Sequence, residues 1–357
     1  MTLLTLINNV QDEIKLPRSP TVFSSTDQQV RQLLALANRE CREFASYNEW
    51  PRLRKFHEVV LSTATGDYTA TFTSGAYTMT VNDATGIAIG MTPQTDGVPI
   101  GATVTDISSL TITISLPVTQ DATAQAVTFG QGSYALPSDF DRIINDTEWD
   151  QTNRWAAIGP NTPQDWAWMT QGIVALTPRR HYRIMGDGTS EFFIWPIPMT
   201  DENGQLLTFE YISSATILPK PWAASTVYPV NAIVSYGGRA YTTSGGGTSG
   251  TVPPQVTRGS VSDGGVTWTF LSNGYTQFAA DTDITILPQN IVELGTVWRW
   301  KRANGLPYTD DRETWQDAVD RLTVRQGGAP QLSLSRRVYN PLIGPWQVQD
   351  GNFPGPP

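Results

Sequence analysis

A single cysteine, Cys41, stands among the 357 residues, which excludes internal disulfides and any zinc site built on cysteines. Histidine is nearly as scarce: His57 and His181 are the only two, which further weakens a metal centre. No apolar run reaches the roughly 18 residues a membrane-crossing helix needs, and the N-terminus has no basic, apolar and small-residue leader. A soluble protein made in a reducing cytoplasm is therefore expected, with no membrane partner. Lys and Arg are outnumbered 24 to 33 by Asp and Glu, giving a net charge of −9, and the cations are scattered. That pattern leaves no footprint for wrapping nucleic acid.

Catalytic signatures are missing as well. There is no nucleophile elbow, no phosphate-cradling loop and no His-Glu-x-x-His. The run Gly245, Gly246, Gly247, Thr248, Ser249, Gly250 has no lysine and no following helix, so it reads as a flexible loop. His57, beside a strand and near Trp50, reads as a packed structural histidine. The imidazolium of His181 is expected to be disfavoured by its neighbour Arg180. Asp139/Asp141 and Asp146/Glu148 lie close in sequence but read as turn and capping residues, not as the carboxylates of glycoside hydrolysis. No catalytic residue, cofactor or metal is expected, and the chain is not read as an enzyme.

The shortage of charge is also local. Residues 63–130 contain no Lys or Arg, and residues 222–273 carry only Arg239, Arg258 and Asp263. Residues 1–56 and 288–329, by contrast, are rich in charge and helix formers. One enzyme domain would not be so segregated, and the length suggests about two or three domains. The expected fold class is α+β multidomain: a helical body of N- and C-terminal helices, a β-rich middle, and two inserted all-β modules. The body takes residues 1–62, 131–221 and 274–329, the modules take 63–130 and 222–273, and 330–357 form an extended arm.

Leu3, Ile7, Val10 and Ile14 fall on one helical face, with Pro17 as the stop. A second helix is expected from Thr26, with Thr26 and Gln29 as a capping box. Val30, Leu33, Leu34, Ala37, Cys41, Phe44 and Ala45 form its apolar stripe, with Gln32, Arg39, Glu40 and Glu43 opposite and Trp50-Pro51 closing it. Helix returns after Pro288, with Ile291, Leu294, Val297, Trp298 and Lys301 on one face and Gly305 at its end. A last helix is capped by Thr309, with Asp310, Asp311 and Glu313 on its positive end.

Between the helices, 63–130 alternates threonine with apolar residues, as in Tyr77–Val81 and Leu110–Ile114, and glycines mark the turns. That predicts a small sandwich or barrel. The strand pattern of 222–273 carries Trp222, Tyr228, Tyr236, Tyr241 and Trp268. These rings either stack on sugar faces or form the only core a Gly/Thr-rich fold can build, and their strand setting favours the core. Trp222, Tyr228, Tyr241 and Trp268 are thus the candidate glycan or fibre contacts. Beyond residue 329 prolines recur at 330, 341, 345, 354, 356 and 357, yet Val338, Tyr339, Leu342, Ile343, Trp346 and Phe353 remain apolar. That mixture suits an arm lying on a partner.

The outer body resembles the head-to-tail adaptor proteins of short-tailed phages, the family that includes the tail tubular A proteins. The likeness rests on Glu49, Trp50, Pro51 and Arg52; on Tyr134 to Phe140; on Trp149 to Thr152 with Gly159 to Gln164; and on the helix pair around Trp298 and Trp315. Residues 63–130 are similar to a repeat of phage tail and fibre proteins, through Gly97–Val104 and Ile112–Pro117. Residues 222–272 resemble small carbohydrate-binding modules. The resemblance implies a virion protein assembled in the host cytoplasm as a ring of about twelve copies. Such a ring binds the portal, passes the channel to the tail nozzle, offers its outside to fibres or spikes, and lets double-stranded DNA slide without specific binding. The arm, with Arg336, Arg337, Tyr339, Leu342, Ile343, Trp346 and Phe353, is then the contact to portal or neighbour. The alternative is a receptor-binding tail protein whose 222–273 module grips host glycan. A cell-wall hydrolase would need a catalytic site that the residues do not supply.

Overall fold

Thr2 accepts a hydrogen bond from the Thr5 N–H and starts helix α1, Leu3–Glu13, whose buried face is Leu3, Leu6, Ile7 and Val10. A computed structural model describes residues 1–171, 179–186 and 190–327. Helix α2, Gln28–Tyr47, begins one residue later than the capping-box reading requires. Asp27, not Thr26, is the cap, its carboxylate accepting from the Gln29 N–H at 2.8 Å. A charged acceptor at this position outcompetes a hydroxyl. After α2, the Trp50 indole stacks on Phe44 with centroids 4.4 Å apart, and its N–H donates to the Phe44 carbonyl.

Helix α3 spans Pro163–Gln171, α4 Gln289–Ala303 and α5 Thr309–Gly327. Thr309 is the first residue inside α5 rather than its cap, while Asp310 and Asp311 occupy the first turn. Lys301 on α4 meets Asp311 at 2.7 Å and ties the two helices end to end. Helix α4 is buried on nearly every side, through Ile291, Val292, Val297, Trp298, Arg299 and Trp300, which explains why it shows no clear amphipathic stripe. Its neighbours are α1, α2 and α5. One apolar cluster therefore joins residues from both ends of the chain, including Leu3, Phe44, Trp50, Ile291, Trp298 and Trp315.

The chain as a whole is α+β, with a β-rich middle of antiparallel sheets. Strand Arg54–Val60 pairs with Leu206–Ser213, in register from Arg54↔Ile212 to Val60↔Leu206. Phe140–Ile143 and Trp149–Asp150 pair with the other side of Leu206–Ser213. The inner face of this sheet contributes Val59, Leu207, Phe209 and Tyr211 to a core shared with Tyr182 and Phe192.

Six antiparallel strands lie between Tyr68 and Gln131, in the order Met91–Gln94, Ala122–Gln131, Tyr68–Phe72, Thr78–Val81, Thr111–Ile114, Val104–Ser108. The sheet curls until its edges meet, the Gly90 N–H donating to the Val104 carbonyl at 2.8 Å. Its interior holds Tyr68, Phe72, Met79, Ile112, Ile114 and Phe129, while Thr71, Thr80 and Thr111 stand in one row across three strands on the exposed face. Alternation of period two accounts for both faces.

Between residues 222 and 273, Ile233–Tyr236, Arg239–Thr243, Val266–Ser272 and Ser260–Asp263 form a four-stranded sheet. Gly247–Thr248 pairs with Val227–Tyr228, so the middle of the run that composition suggested was a flexible loop is a short strand. Here glycine serves close approach: a Cβ on Gly247 would overlap the Gly265 carbonyl, and one on Gly250 would crowd the Asp263 carboxylate.

Candidate functional site

Glu40 is the largest departure from the sequence reading. Placed by periodicity on the solvent face of α2, it is instead fully buried. Gly295 on α4 makes the space, since a Cβ there would overlap the Glu40 carboxylate. Arg299 Nε donates to Glu40 Oε2 at 2.7 Å, and the Trp315 indole donates to Glu40 Oε1 at 2.8 Å. A second guanidinium nitrogen meets Glu43 at 2.9 Å, and the guanidinium carbon lies 4.4 Å from the Trp298 ring centre. Burial pushes the Glu40 carboxyl up, and Arg299 and Trp315 pull it back toward the ionised form. The arrangement bolts α2, α4 and α5 together. The signal in sequence was Gly295, a residue that costs helix stability unless something must approach it closely.

A second buried carboxylate, Asp139, accepts from Tyr211 at 3.0 Å, from Ser213 Oγ at 2.5 Å and from Asn273 at 3.4 Å. It lies where the chain enters and leaves residues 222–273, beside an open groove of ≈ 580 Å³ that Phe23, Ser138 and Tyr275 help to line. Ser213 is bonded directly to the carboxylate, while His57 meets the rings of Phe209 and Tyr211. No serine–histidine relay is built here. Burial holds the His57 imidazole below its ordinary value.

Glu148 is buried and accepts the Tyr182 hydroxyl at 2.5 Å; Asp141 pairs with Arg142 at 2.8 Å; Asp146 stands exposed at a φ of 66°. Three of the four carboxylates thus have separate partners, and Asp146 faces solvent. His181 also titrates low, but from burial, not from Arg180. The Arg180 guanidinium is turned away to Glu202 and the Pro196 carbonyl. Among the described residues no group of His, Cys, Asp and Glu could hold a metal ion, and no helix is long and apolar enough to cross a membrane.

The aromatics of 222–273 divide. Tyr228, Tyr241 and Trp268 are buried, with Tyr228 edge-on to Trp268 at 5.0 Å. Rings whose faces are covered are not free to stack on sugar, and these three form the core that their strand setting favours. Trp222 is half-buried and Tyr236 exposed, in edge contact at 6.2 Å. The indoles of Trp222 and Trp268 both donate to Asp263 Oδ2 at 3.2 Å, which fixes Trp222 to the core. The arm residues Arg336, Arg337, Tyr339, Leu342, Ile343, Trp346 and Phe353 lie outside the described residues.

Residues 105–248 match the family model of the SU10 adaptor protein. The match begins within the six-stranded sheet and ends within the 222–273 segment. No curated protein matches the chain. The family match supports a phage adaptor-type protein, a structural component of the virion.

Proposed function

We propose that the chain is the head-to-tail adaptor of a short-tailed phage, forming a ring of about twelve copies between portal and tail nozzle. The adaptor-family match carries this reading. It is supported by the one cluster in which α1, α2, α4 and α5 meet; on this reading the sheets of 63–130 and 222–273 are appendages of that body. A net charge of −9 suits a conduit wall that repels DNA phosphates, whereas a basic wall would retain the duplex by counterion release. Residues 331–357 serve as the contact to portal or neighbour. Their deletion is expected to leave a folded, soluble protein that no longer co-purifies with portal; retained pull-down would remove the arm from the account.

A second reading, a receptor-binding tail protein, draws on the half-buried Trp222 and the exposed Tyr236 beside it. On a glycan array, the full chain would then bind sugar and lose that binding with Trp222→Ala, while the Trp268-centred core stays folded. Absence of glycan binding leaves the pair a fibre contact or a surface brace.

A further inference from the structure

The outer face of the sheet formed by Arg54–Val60, Leu206–Ser213 and Trp149–Asp150 is only partly covered. Cross-strand pairing puts Phe56 beside Glu210, Glu58 beside Thr208, Thr208 beside Trp149, and Val60 beside Leu206, all directed to that one face. Toward Ile212 the same face is closed by the helix cluster. Toward Leu206 it is open: Phe56 is 54% exposed, Trp149 43% and Val60 36%. Two carboxylates stand among these apolar groups. Glu58 reaches only Arg258, at 3.9 Å and with both side chains substantially exposed. Glu210 has no ion-pair partner among the described residues, and the cations Arg54 and Arg142, on its own face, both stand opposite Ile212 at the closed end.

Aromatic and aliphatic groups interleaved with one unpaired carboxylate and one held only by a long, exposed ion pair call for a ligand that is cationic and apolar at once. The chain contains one such segment beyond the described residues. From 328 to 349 the only charges are Arg336 and Arg337, followed directly by Val338 and Tyr339. Residues 328–357 continue from the end of α5, and a fully extended segment of that length spans up to about 100 Å, enough to reach an adjacent subunit.

We propose that the outer face bearing Phe56, Glu58, Trp149 and Glu210 is the seat for Arg336, Arg337, Val338 and Tyr339 of a second copy of this chain. The guanidinium groups meet the two carboxylates, and Val338 and Tyr339 cover Phe56, Val60 and Trp149. This rests on the ring reading above and deepens it by assigning the arm to a neighbouring subunit's sheet. The motif around Trp149, which has no other evident task, supplies the indole of the seat.

The test uses two differently tagged full-length chains, one with Val60→Cys and one with Val338→Cys, mixed and oxidised. Burial pushes the native Cys41 thiol up to about 12, so the introduced thiols dominate the reaction. A disulfide-linked species carrying both tags is expected, at least about tenfold above a control pairing Val338→Cys with Asp106→Cys. It is expected to fall to the control level when Glu58→Lys and Glu210→Lys are added to the first chain. Adding Arg336→Glu and Arg337→Glu to the second chain restores it, which separates charge pairing from misfolding. Rings that form without the mixed species overturn the seat and leave the adaptor reading standing. Monomers without mixed species overturn both.

Discussion

Replacing Arg299 with alanine is expected to destabilise the protein by about 3–5 kcal/mol, because it leaves the Glu40 carboxylate buried with only the Trp315 indole for company. That is a large share of the roughly 5–15 kcal/mol that holds a typical domain together. The effect comes from stranding a charge and not from losing an attraction, so the double replacement Glu40→Leu with Arg299→Met is expected to recover most of the loss. Gly295→Ala attacks the same bolt from the other side, since its methyl would occupy the carboxylate's place, at a cost of about 1–3 kcal/mol. Urea denaturation of the four proteins measures all of this. A loss below about 1 kcal/mol for Arg299→Ala, or a double variant no better than the single one, would show that the pair is solvated and not buried.

Trp268→Ala is expected to cost about 3–5 kcal/mol, the usual range for emptying a buried indole site. Its removal takes away the ring on which Tyr228 rests edge-on and one of the two indole donors to Asp263. Trp222→Ala, at a half-buried position, is expected to cost less. If the 222–273 sheet is held by its own core, near-ultraviolet circular dichroism will show Trp268→Ala melting one transition early while the helix cluster keeps its midpoint. Loss of both transitions together would mean that this sheet and the helices unfold as one unit.

These positions also show what was readable from sequence. Helices α1, α2 and α5, the alternating strands and the aromatic core of 222–273 follow from local patterns, because each rests on residues close together in the chain, whereas α3 lies in a stretch read as β-rich. Leu3, Ile7 and Val10 mark α1 within three turns, although Ile14, counted on the same face, is the residue after the helix. Glu40 failed for the opposite reason: its burial depends on Gly295, Arg299 and Trp315, more than 250 residues away, and no local pattern records that meeting. The glycine run at 245–250 was misjudged for a related cause. Its glycines answer to backbone approaching from Tyr228 and Gly265, not to turn preference within the run. Tyr228, Tyr241 and Trp268 were assigned correctly as a group of pinning aromatics, but which of the five rings reach solvent was decided by strand pairing. The Asp139 knot was read as turn chemistry because its partners Tyr211, Ser213 and Asn273 arrive from two distant segments.

Electron microscopy of the purified full-length protein, alone and with portal, bears most directly on the adaptor assignment. Closed rings stacked coaxially on the portal, with an open bore that admits a DNA duplex, are the predicted result. Single, unassociated particles under both conditions would contradict it.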